Sequence, residues 1–135
     1  MATTRGSGNY AVGNTPPRVT WTVVRGDTAA FKVYVTDDAK LPLNLSVWTI
    51  AMDIKRPNSA ANSGVITDDA TLVMSLTPVQ DPDDSDGEFT VSLTAEQSAE
   101  LETGDIFDIE LSTAQDAQVW TVAQGSMVIL EDVTA

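Results

Sequence analysis

The sequence predicts an all-β fold: a β-sandwich or small barrel of about eight short strands, with one short helix and an extended N-terminal arm. Three observations carry this. Apolar and polar residues alternate over most of the chain, turn-forming residues separate the alternating runs, and a single segment carries a helix start signal. The length of 135 residues fits one domain with one core.

Residues 1–17 are rich in Gly, Ser, Thr and Asn, end in Pro16-Pro17 and show no apolar periodicity, so they read as an extended arm preceding a sandwich domain at 18–135. From Arg18 the period becomes two. Trp21 and Val23 alternate with Thr20 and Thr22, and Phe31, Val33 and Val35 with Lys32, Tyr34 and Thr36. Trp48, Ile50, Met52 and Ile54 alternate with Thr49, Ala51, Asp53 and Lys55, and Phe89, Val91 and Leu93 with Thr90 and Ser92. Each set lines one face of a strand, because successive side chains point to opposite sides. Further strands are expected at 70–76, 105–112, 118–123 and 126–133. The last contains Met127-Val128-Ile129-Leu130, a continuous apolar run that suits a central strand covered on both faces, or one covered by a neighbouring subunit.

Two connections are specified locally. Arg25-Gly26-Asp27 spells an integrin-binding tripeptide, but it falls where a tight turn is needed, with Gly26 supplying backbone freedom and Asp27 a side chain that bonds its own main chain. Thr94-Ala95-Glu96-Gln97 has the capping-box spacing, and Ala99 and Leu101 supply a short apolar face before Gly104.

Composition removes most chemistry. There is no cysteine and no histidine, hence no thiolate nucleophile, disulfide, imidazole base or Cys/His zinc site. No Gly-rich phosphate loop or Gly-x-Ser-x-Gly elbow is present, so no enzyme activity is expected. No run approaches the ~18 apolar residues of a membrane span, and no export signal is recognisable. All seven basic residues lie in positions 1–56 beside four acids, whereas 57–135 hold sixteen acids and no base. That half would repel phosphate backbones, so neither nucleic acid nor membrane is an expected partner.

The order of motifs is informative. Arg25-Gly26-Asp27-Thr28 leads into Phe31-Lys32-Val33-Tyr34-Val35, and Leu43-Asn44-Leu45-Ser46 precedes the strand from Trp48 to Lys55. Gly87-Glu88-Phe89-Thr90-Val91-Ser92-Leu93-Thr94-Ala95-Glu96-Gln97 is followed by Gly104-Asp105-Ile106-Phe107-Asp108-Ile109-Glu110-Leu111, and the chain closes with the segment Gly125 to Thr134. Over residues 19–134 this resembles the immunoglobulin-like N-terminal domain of the baseplate upper protein family of tailed bacteriophages. The resemblance implies an immunoglobulin-like β-sandwich in the virion, assembled in the host cytoplasm. Its expected role is an assembly adaptor of the tail, baseplate or tail-fibre attachment region, or a capsid decoration protein.

Partner contacts with other virion proteins, and with copies of itself, are expected from the arm and its junction: Arg5, Tyr10, Val12, Pro16, Pro17 and Arg18. Readings from other classes are a carbohydrate-binding module using Trp21, Trp48 or Trp120, and a calcium-stabilised adhesion domain. The only dense set of oxygen ligands is Asp81, Asp83, Asp84 and Asp86; it departs from the EF-hand spacing and suits a solvated connection, so no cofactor is expected.

Overall fold

The computed structural model describes residues 16–36, 40–113 and 118–132. Eight strands form two sheets: β1 (Arg18–Val24), β2 (Ala29–Tyr34), β3 (Thr49–Pro57), β4 (Ala70–Leu76), β5 (Val79–Gln80), β6 (Glu88–Leu93), β7 (Ile106–Thr113) and β8 (Gln118–Leu130). The five-stranded sheet has the order β1-β8-β7-β3-β4 and the three-stranded sheet the order β2-β6-β5. Every pairing is antiparallel except β1 with β8, which run parallel from Arg18↔Gln124 to Val24↔Leu130. The fold is thus an all-β two-sheet sandwich.

Alternation explains the core. Ile50, Met52 and Ile54 of β3 and Phe107, Ile109 and Leu111 of β7 are buried and face Phe89, Val91 and Leu93 of β6 across the sandwich. Each such side chain taken from water contributes about 1.5–3 kcal/mol. Trp21, from β1, closes the side of the core edge-on to Phe31 of β2, with ring centroids 4.5 Å apart.

The strand count matches the sequence reading, but its membership differs. The segments expected as separate strands at 118–123 and 126–133 are one strand, β8, ending at Leu130. The glycine between them is no turn residue. A Cβ at Gly125 would overlap the Val19 carbonyl and the Phe107 ring, so glycine is what allows β1 to approach β8. The eighth strand is instead the short β5. β8 is an inner strand, as its apolar run suggested, and Met127 and Ile129 are buried. Full coverage of both faces does not hold, because Leu130 is 49% exposed. Trp48 precedes β3 rather than belonging to it; its N–H donates to the Leu45 carbonyl in a turn, and its ring is buried.

The helix forms where its caps require. In α1 (Ala95–Ala99) the Thr94 hydroxyl accepts from the Gln97 N–H at 3.1 Å, and the Gln97 side-chain oxygen accepts from the Thr94 N–H at 2.8 Å.

Candidate assembly surface

β1 runs toward one end of the sandwich, where its turn into β2 meets α1. Gly26 has φ of 86°, and the Asp27 N–H donates to the Val24 carbonyl, closing the turn. The turn is fastened rather than presented. Ser98, fully buried in α1, accepts from the Gly26 N–H at 3.0 Å and donates to the Asp27 carbonyl at 2.7 Å. Arg25 reaches across to donate to the Ala99 and Leu101 carbonyls at 3.1 and 3.0 Å and pairs with Glu131 at 3.2 Å.

A second arginine holds the same helix end from the sheet. Arg56 of β3 grips Asp105 through Nε–Oδ1 at 2.7 Å and Nη2–Oδ2 at 2.9 Å, and it donates to the Glu100 carbonyl at 3.1 Å. Asp105 is 1% exposed and also accepts from the Glu102 N–H at 2.9 Å. The hydrogen bonds that Arg56 donates to the Asp105 carboxylate raise the Arg56 pKa above its ordinary value. Two cations therefore satisfy carbonyls that a helix C-terminus leaves without partners. Sequence reasoning missed Ser98, Arg56 and Asp105, because residues 49 and 72 positions apart give no local pattern.

Pro16 and Pro17 lead into β1 at the side of this body. The Pro17 carbonyl accepts from the Gln124 N–H at 3.1 Å, and Arg18 opens β1 with its side chain exposed. Pro16 is half-buried and Pro17 exposed. Arg5, Tyr10 and Val12 lie outside the described residues. Thus Pro16, Pro17 and Arg18 come together at the edge of the five-stranded sheet.

The acidic connection is locally self-satisfied. Asp81 accepts from the Asp83 N–H, Asp83 from the Ser85 N–H and hydroxyl, and Asp86 from the Glu88 N–H. The Ser85 hydrogen bonds lower the Asp83 pKa, while desolvation raises that of Asp86. Among the described residues no group of three or more Asp, Glu, His or Cys is arranged to hold a metal ion. A different carboxylate row crosses the outer face of the larger sheet. Asp53 of β3 stands opposite Asp108 of β7, with Glu110 two residues along. Desolvation, then the neighbouring carboxylates, holds Asp108 and Glu110 above the usual carboxylate range.

The tryptophans are core residues more than platforms. Trp21 and Trp48 are buried, while Trp120 is half-buried and edge-on to Trp48 at 6.4 Å. No helix among the described residues is long and apolar enough to cross a membrane. No protein-family model matches the chain, and no curated protein matches it.

Proposed function

We propose that this chain is a non-enzymatic virion structural protein of a tailed bacteriophage, an immunoglobulin-like sandwich acting as an assembly adaptor in the tail, baseplate or tail-fibre attachment region. The motif order from Arg25 to the Gly125 segment supports the family reading. The observation that carries the adaptor mechanism is the junction at Pro16-Pro17. Neither proline has an N–H to donate to a ladder, so the chain preceding β1 is disfavoured from continuing along its own β8. The arm then extends onto a neighbouring virion protein. Its single base, Arg5, with no acid among residues 1–17, suits an acidic surface such as residues 57–135 supply on another copy. Exposed ion pairs contribute only about 0–1 kcal/mol, so charge orients the arm while backbone pairing and apolar burial set affinity.

Deleting residues 1–15 leaves the Pro17–Gln124 bond intact and is the direct test. The truncated protein is expected to keep its circular dichroism and melting temperature but to be missing from particles assembled in its presence. Normal incorporation of the truncated chain would refute the adaptor reading.

A further inference from the structure

Among the described residues the sandwich has four edge strands, and three are blunted in the ways that prevent pairing with another chain. β4 carries a bulge at Val73, between the pairs Ile54↔Met74 and Lys55↔Leu72. β2 places Lys32 in mid-strand, paired with Glu88 at 3.3 Å. β5 is two residues long and runs directly into Asp81. β1 has none of these features. Its register is unbroken over seven pairs, and Val19-Thr20-Trp21-Thr22-Val23-Val24 contains no charge, proline or glycine.

The backbone polarity of β1 is also settled. The Pro17 carbonyl and the Arg25 N–H both bond to β8, so the odd-numbered residues between them turn their main-chain groups inward. The N–H and C=O groups of Thr20 and Thr22 therefore point away from the sheet. Both side chains are exposed, and among the described residues these backbone groups have no partner. Two donors and two acceptors spaced two residues apart are what one strand offers to another in an antiparallel ladder.

We propose that this edge is a self-association seam: two copies pair β1 with β1 antiparallel about a two-fold axis near Trp21, with Thr20 of one copy opposite Thr22 of the other. Electrostatics select a second copy here. A chain of net charge −13 repels itself over most of its surface, whereas Val19 to Val24 carry no charge, and of the two bases flanking them Arg25 is paired with Glu131 while Arg18 is exposed. Antiparallel alignment also sets Arg18 of each copy opposite Val24 of the other, beside that copy's Arg25–Glu131 pair, whose carboxylate is exposed and can accept from both arginines. Isologous pairing of this kind closes at a dimer and uses up the open edge. The proposal does not depend on the virion reading.

The test is the mass of the full chain in solution, followed from micromolar to millimolar concentration. Wild-type protein is expected to reach twice its 14.4 kDa chain mass. The T20E/T22E variant, whose exposed changes leave the fold and its circular dichroism intact, is expected to associate at least tenfold more weakly, whereas L72E on β4 remains a dimer. The chain has no cysteine of its own, so a T20C/T22C variant reports the register directly by forming a disulfide-linked dimer on oxidation. A wild-type chain that stays monomeric throughout, a dimer dissolved by L72E and not by T20E/T22E, or a T20C/T22C protein that fails to cross-link would each overturn the seam.

Discussion

Ser98 and Asp27, 71 residues apart, are joined by a 2.7 Å hydrogen bond from the serine hydroxyl to the aspartate main-chain carbonyl, while the same oxygen accepts from the Gly26 N–H. One buried hydroxyl thus ties the β1–β2 turn to α1, and the Arg-Gly-Asp tripeptide acts as a structural clasp. Ser98→Ala deletes a donor and an acceptor at a site with no solvent access, so it should cost about 1–3 kcal/mol. Urea unfolding would measure this. A loss comparable to an exposed serine such as Ser92 would show that the clasp does not hold the two elements together.

The Arg56–Asp105 pair should matter more. It is bidentate, one partner is fully buried, and Asp105 also fixes the Glu102 N–H. Asp105→Asn leaves Arg56 facing an amide that cannot match both of its donors. Breaking a buried pair costs about 3–5 kcal/mol, and the partial exposure of Arg56 places this case nearer the lower figure. Arg56→Lys keeps the charge but not the fork, and should retain less than half of the interaction. Equal stability of Arg56→Lys and wild type in thermal melts would contradict this assignment.

The carboxylate row on the outer face fixes a sign for pH dependence. Asp108 is desolvated and faces Asp53, and Glu110 faces both, with Lys55 only partly offsetting them. Their folded pKa values lie above the ordinary 3.8 and 4.5, so the folded protein holds protons that the unfolded chain has released. These groups therefore destabilise the fold at neutral pH, and the penalty fades as pH falls through the raised values toward the ordinary ones. Asp83, whose pKa is lowered, acts in the opposite sense below 3.8. Asp108→Asn should stabilise the protein by about 0.5 kcal/mol at neutral pH, the scale of a like-charge cross-strand pair, and by nothing once the wild-type carboxyl is protonated. Denaturation series at several pH values would separate this from a pH-independent packing effect.

What could be read from the sequence was what repeats locally. The alternation around Trp21, Met52 and Phe89 placed inward faces on β1, β3 and β6, and the Thr94–Gln97 spacing placed α1, because each signal lies within a few residues. The clasp and the Arg56–Asp105 grip were not legible, as each joins residues made neighbours only by the packing of sheets and helix. The edge position of β1 was also hidden, because period two shows which side chains face inward but not which strands adjoin.

Gly125 shows how a local signal misleads, and its role can be measured. It read as a break between two strands, yet it sits within β8 with β1 passing close on one side and the Phe107 ring on the other. Gly125→Ala must displace either the Val19 carbonyl or that ring, at a cost of about 1–3 kcal/mol from overpacking. The displacement would loosen β1 where the Val19↔Gly125 pairing begins. Amide hydrogen exchange on the variant should then show faster exchange at the β8-facing amides Val19 and Trp21, with β3 and β7 protected as before. A variant as stable as wild type, with β1 still protected, would mean that the Gly125 approach is not what seats the strand.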